Sequence, residues 1–174
     1  MKIKKEKKSR IFYNTIFFLG LILIIFEISL YRKTIINIYI PISIILLTGL
    51  TAFIINRQHY KKTYSLNGNF YPLIQNVCSW GFIFCYIFMA TNYYFSEEKT
   101  TTYIFPIKEK SSMPGSKYNR SKRQPLVRID YFYFEKELVF RYVEQDKVNK
   151  AESVILTIKK GLLGFDIIEK YRVF

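Results

Sequence analysis

Glu27 is the one carboxylate inside the long apolar stretches of residues 1–96. An acid within a membrane span points to a proton relay or an ion site, because burying a charge in lipid is costly and is kept for a purpose. Its position favours a plainer role. Glu27 stands about four residues, or ~6 Å, before the end of its apolar stretch, and Arg32 and Lys33 follow, so an interfacial carboxylate near basic residues is expected. A buried functional acid is the alternative. Cys78, Gly81 and Cys85 are spaced i, i+3 and i+7, which places them on one helix face. The two thiols are then ~10 Å apart along the axis, too far for a disulfide, and small side chains at a helix contact are the expected use. Thr48, Gly49 and Ala52 read the same way.

A second chemistry is electrostatic. Lys108, Lys110, Lys117, Arg120, Lys122, Arg123 and Arg128 are interrupted by the single acid Glu109. The segment 108–125, with its Ser, Gly and Pro residues, reads as a solvated loop. Within it Lys117, Arg120, Lys122 and Arg123 are the candidates for contact with anionic lipid headgroups or an acidic envelope component. Asn119-Arg120-Ser121 matches the N-glycosylation acceptor, a pattern that arises readily by chance.

Other chemistries lack their residues. The single His59 and two cysteines do not make a usual zinc site, and the chain has no GxGxxG, Walker A, GxSxG or HExxH sequence. Asp130, Asp166 and Glu169 have no spacing that sets them apart from surface charges. No cofactor is therefore expected, and an enzyme opening at the membrane surface is the least favoured function.

The elements that position these residues follow from where the apolar residues fall. Half of the 174 residues are apolar, and they are bunched rather than scattered. About 20 apolar residues cross a bilayer core of ~30 Å, and three segments pass that test: residues 11–31, 35–55 and 71–95. Pro41 falls one to two turns inside the second and Pro72 in the first turn of the third, both tolerated near a helix start. Tyr71, Tyr93, Tyr94 and Phe95 suit membrane interfaces. The first stretch follows a basic segment, as in a signal peptide, but it is long and lacks a small-x-small cleavage site, so it is expected to be retained.

The charge of +14 reads as topology rather than nucleic-acid binding. Lys and Arg number six before the first span and three in the connection 56–70, against two near residues 32–34. With three spans the first two groups share a side, and nine against two makes that side cytoplasmic. Residues 97–174 are then extracytoplasmic. The richness in Ile, Lys, Asn, Tyr and Phe points to an AT-rich, bacterial source and hence to the inner (cytoplasmic) membrane.

After residue 96 the period changes. Val127, Ile129, Tyr131 and Tyr133 alternate with Arg128 and Asp130, a strand pattern. Residues 100–107, 138–143, 153–159 and 165–174 also read as strands, residues 135–137 as a turn and 146–152 as one short helix. The tail aromatics Tyr131, Phe132, Tyr133, Phe134, Phe140 and Tyr142 are expected mainly in a small core. The fold class is three transmembrane α-helices (membrane domain 1–96) plus a small β-rich antiparallel domain (97–174). The expected role is a non-enzymatic binding or assembly protein of the cell envelope, partnered by the lipid bilayer and by anionic lipid or an envelope protein. An oligomeric transporter or channel subunit, with homo-oligomer contacts through the small-residue faces, is the alternative.

Overall fold

The computed structural model describes residues 2–115, 120, 122–132 and 134–174, with the backbone alone for residues 2–6. The chain divides into two compact units, Met1–Phe95 and Ser96–Phe174.

The first unit contains α1 (Lys2–Lys33), α2 (Tyr39–Tyr64), α3 (Phe70–Asn76) and α4 (Phe82–Tyr94), the last two joined by a π-helical turn, Val77–Gly81. Three stretches, Lys7–Lys33, Tyr39–Tyr64 and Phe70–Tyr94, are long and apolar enough to cross a membrane, with 27, 26 and 25 residues. Each is ~40 Å long at 1.5 Å per residue, more than the hydrocarbon core requires.

Both boundaries of α2 differ from the sequence reading, for local reasons. Ahead of α2, the Thr34 hydroxyl donates to the Leu30 carbonyl (2.9 Å), and Tyr39 N–H donates to the Asn37 side chain (3.0 Å). The helix therefore starts at Tyr39 rather than Ile35, and Pro41 sits in its first turn, where a missing N–H leaves nothing unsatisfied. At the other end α2 runs on past Ile55 to Tyr64 and closes on a left-handed Ser65 (φ 54°). Residues 56–64 contain no Gly or Pro to stop it, so His59 and its basic neighbours are helical rather than part of a connection.

At the π-turn the three spans pack closely against one another. A side chain at Gly20 of α1 would meet the Cys78 carbonyl oxygen and lie 2.9 Å from the Ser79 Cα. One at Gly49 of α2 would lie 2.7 Å from the Val77 Cα, and one at Gly81 would lie 2.7 Å from the Ile45 carbonyl oxygen. With no hydrophobic effect between helices in lipid, such backbone approach is what holds spans together. The Ser79 hydroxyl donates to the Gln75 carbonyl and the Asn76 amide to the Pro72 carbonyl (2.7 Å), while the Asn76 side-chain oxygen accepts from Asn56 of α2 (3.4 Å).

The second unit is an antiparallel five-stranded sheet of order β3-β2-β1-β4-β5. Its strands are β1 (Thr100–Met113), β2 (Gln124–Tyr131), β3 (Phe134–Val139), β4 (Ser153–Lys160) and β5 (Asp166–Val173). β1 serves two partners. Residues 100–106 pair with β4 and residues 107–113 with β2, and the register shifts between Ile107 and Glu109. Such an irregularity bends the strand, and the sheet curls about it. Val127, Ile129 and Tyr131, with Leu138, Phe140, Val154, Leu156, Ile158, Ile167 and Ile168, form the buried core, and Val148 of the short helix α5 (Gln145–Lys150) joins them.

The period-2 reading of β2 holds for Val127, Ile129 and Tyr131, while Tyr133 lies outside the described residues. The turn expected at residues 135–137 is strand instead. Glu135 and Glu137 point outward and Lys136 inward, and the reversal falls next to Phe132, at φ 49°. Among the tail aromatics Tyr131 and Phe140 are buried, whereas Phe132 and Tyr142 are exposed.

Candidate functional site

Glu27 is buried in the helical unit, with 7% of its surface exposed. The Cys85 thiol of α4 donates to its Oε1 (3.0 Å) and lies 3.6 Å from the Pro41 carbonyl oxygen at the start of α2. Its other oxygen, Oε2, has no hydrogen-bond partner among the described residues. An unsatisfied buried acceptor costs about 1–3 kcal/mol, more when charged. The position expected from the sequence, beside Arg32 and Lys33, is not the one found. Lys33 instead reaches Tyr93, with its Nζ 3.4 Å from the hydroxyl and 5.5 Å from the ring centre. Helix geometry explains this: residue 27 is not one turn from residues 32 and 33 on the same face, and α4 covers the face that Glu27 occupies.

Cys85 is fully buried, but Cys78 is only half-buried. The π-turn places an extra residue in the helical ladder between them, so the shared face expected from their spacing is lost. Only Cys85 joins Glu27.

A second polar cluster, not foreseen in the sequence, lies at the other end of the same helices. The Tyr13 hydroxyl is 2.8 Å from Nδ1 of His59, the Gln75 amide donates to the Tyr13 carbonyl (2.8 Å), and the Tyr64 hydroxyl donates to Asn14 (2.7 Å). Tyr13, Tyr60 and Tyr64 stack on one another, with ring centres 5.0 Å apart for the first pair and 4.6 Å for the second. The contacts of His59 and Tyr64 with Tyr13 and Asn14 link residues 46 and 50 apart in the chain, and the reach of α2 to Tyr64 creates them.

In the sheet unit the basic residues separate into two groups. Lys108 and Arg128, expected in or beside a loop, sit on strands whose outer face carries acids. Lys108 pairs with Asp130 (3.1 Å) and Glu135, and Arg128 with Glu109 (2.6 Å) and Glu137 (2.9 Å). Lys110 donates to the Asn149 carbonyl (2.7 Å). The loop is therefore shorter than residues 108–125, because β1 runs to Met113. At the hairpin tip Arg120 and Lys122 are exposed. Arg123 donates to the Ser112 hydroxyl and carbonyl (both 2.8 Å), fixing the two sides of the tip. Lys117, with Asn119 and Ser121 of the acceptor-like triplet, lies outside the described residues.

Two of the three tail carboxylates named from the sequence have partners of their own. Asp130 faces Lys108 on the outer surface, and Asp166 accepts from the Tyr131 hydroxyl (2.8 Å). Burial, with Asp166 second, holds the Tyr131 hydroxyl well above the usual phenol range. Among the described residues no three His, Cys, Asp or Glu side chains gather as metal ligands.

These features define a membrane protein with three candidate spans and an appended, curled antiparallel sheet. No protein-family model, curated protein or solved structure matches the chain.

Proposed function

We propose that this is a non-enzymatic binding or assembly protein of a bacterial cell envelope. Its spans anchor the sheet domain on the extracytoplasmic side of the inner membrane, and the β1–β2 hairpin tip engages a polyanionic partner. One observation carries this reading. The outer strand face has acids to match its cations, whereas the sequence has no acid between Glu109 and Asp130, and among the described residues Arg120, Lys122 and Arg123 have no acid paired with them.

The partner's chemistry is an array of phosphates or carboxylates, from anionic headgroups or from an acidic envelope polymer or protein. The test uses the full chain in nanodiscs of neutral lipid, titrated with anionic vesicles in one arm and soluble polyphosphate in the other. Each cation near an anionic surface contributes ~1 kcal/mol. Arg120→Gln, Lys122→Gln and Arg123→Gln together should weaken binding by roughly 100-fold. Equal affinity of wild type and triple variant in both arms would remove the proposal.

Glu27 favours a second reading, an oligomeric transport subunit in which Oε2 holds a proton or cation during passage. Flux in proteoliposomes, abolished by Glu27→Gln, would support it; no flux in the wild type would remove it.

A further inference from the structure

The β4–β5 turn of the sheet unit displays apolar side chains where turns ordinarily display polar ones. Its sequence is Gly161-Leu162-Leu163-Gly164. Leu162 is 58% exposed, and Leu163 is exposed as well. The backbone fixes that display. Gly161 N–H donates to the Phe165 carbonyl (3.0 Å) and Gly164 N–H to the Gly161 carbonyl (2.9 Å). Gly164 takes φ 87°, a conformation costly for a residue with a Cβ. The two leucines are thus presented by a tight turn.

The tether defines what lies within reach. Glu97 N–H donates to the Lys160 carbonyl (2.9 Å), which joins the base of this turn to the first residues after the third span. Glu97 is three residues beyond Tyr94, the last residue of α4, and three extended residues reach at most ~11 Å. Whatever the tilt of the domain, its Glu97–Lys160 end therefore stays within ~11 Å of the end of that span, close enough for the turn to reach a headgroup layer ~5–7 Å deep. Tyr94 and Phe95 at the start of the tether are themselves exposed aromatics of the kind that settle at membrane interfaces. Nearby charges almost cancel: Lys99, Lys159 and Lys160 stand against Glu97 and Glu98. What this end offers a neighbour is apolar surface.

We infer that the Gly161–Gly164 turn is a membrane-interface anchor, with Leu162 and Leu163 inserted at the boundary between headgroups and acyl chains of the bilayer that holds the spans. Lipid is the one partner always present within the reach of the tether, and short apolar elements bind there by burying their side chains a few ångströms deep. The anchor is independent of the hairpin tip, because its contact is apolar and insensitive to salt, whereas the tip's is electrostatic.

The test uses the full chain in neutral-lipid nanodiscs, with Trp80→Phe so that Leu162→Trp supplies the sole tryptophan. Lipid brominated in the upper acyl chain should quench its emission at least about twofold, equally at low and high salt. Val143→Trp in the same background is the control, since Val143 is 82% exposed on the 3-10 turn Tyr142–Glu144; it should respond to aqueous iodide and not to bromine. Iodide quenching of Leu162→Trp equal to that control overturns the inference. So does blue-shifted emission without bromine quenching, which would mean that protein, such as a second copy, covers the turn. A second measurement keeps Trp80: the double variant Leu162→Ser, Leu163→Ser should raise amide exchange over residues 159–165 about tenfold in nanodiscs, and unchanged exchange would also overturn it.

Discussion

The hydroxyl of Tyr171 on β5 donates to the carbonyl of Val139 on β3 (2.6 Å), joining the two edge strands of a sheet in which they are farthest apart in order. The ring of Tyr171 also stands edge-on against Phe140, with centres 5.1 Å apart. Edge strands leave unpaired backbone groups that invite association, and here one such group is covered by a side chain from the opposite edge. Burial raises the Tyr171 hydroxyl above its usual range.

Tyr171→Phe removes that hydrogen bond and keeps the ring. A loss of about 1 kcal/mol is expected, read as faster amide exchange of β3 and β5 in the full chain. Tyr171→Ala, which also removes the packing on Phe140, should cost about 2 kcal/mol, the hydrogen bond and the aromatic pair together. Equal exchange in Tyr171→Phe and wild type would show that the closure does not rest on the hydroxyl.

Lys136 faces inward on β3, and burial lowers its ammonium from 10.5 to about 8. Below pH 8 the folded and unfolded states are both protonated and the cost of the buried charge is fully present. Between about 8 and 10.5 the unfolded chain binds the proton that the folded chain has lost, so stability rises with pH. Lys136→Met should therefore stabilise the domain at pH 7, by on the order of 3 kcal/mol. That gain should shrink toward pH 10. Thermal melts of both proteins across this range check it, and a gain independent of pH would assign the effect to packing instead.

Gly20→Ala should disrupt the helical unit, because its new methyl group would meet backbone atoms of Cys78 and Ser79 rather than a flexible side chain. Overpacking of this kind costs about 1–3 kcal/mol. Gly68→Ala, with nothing within 4 Å, is the matched control and should be neutral. Melting temperatures in one detergent, compared side by side, decide it.

Glu27→Gln keeps the shape of the side chain at the Cys85 contact and should leave the helical unit folded. Glu27→Ala leaves Cys85 only the longer contact to the Pro41 carbonyl (3.6 Å) and opens a gap, so a loss of about 2 kcal/mol is expected. Maleimide labelling reports the difference: Cys85 should be protected in wild type and Glu27→Gln and should react in Glu27→Ala. Labelling of Cys85 in the wild type would contradict its burial beside Glu27.

The sequence by itself determined the features that depend on neighbours along the chain. Three runs of about 20 apolar residues make three candidate spans because hydropathy is summed locally, and the alternation of Val127, Ile129 and Tyr131 marks one buried face because successive strand residues point to opposite sides. Tertiary structure decided whatever joins distant residues. Glu27 and Cys85 are 58 positions apart, so burial beside a thiol rather than exposure beside Arg32 was not legible. The helical continuation of α2 through His59 places a polar cluster against Tyr13, 46 positions away. β1 continued through Lys108 and Lys110 into what read as a basic loop, because strand pairing with β2 and acids on the outer face offset the low strand propensity of those residues. The contact of a hydroxyl on β5 with a carbonyl on β3 likewise depends on strand pairing, because the bend in β1 lies between the partners of the two edge strands.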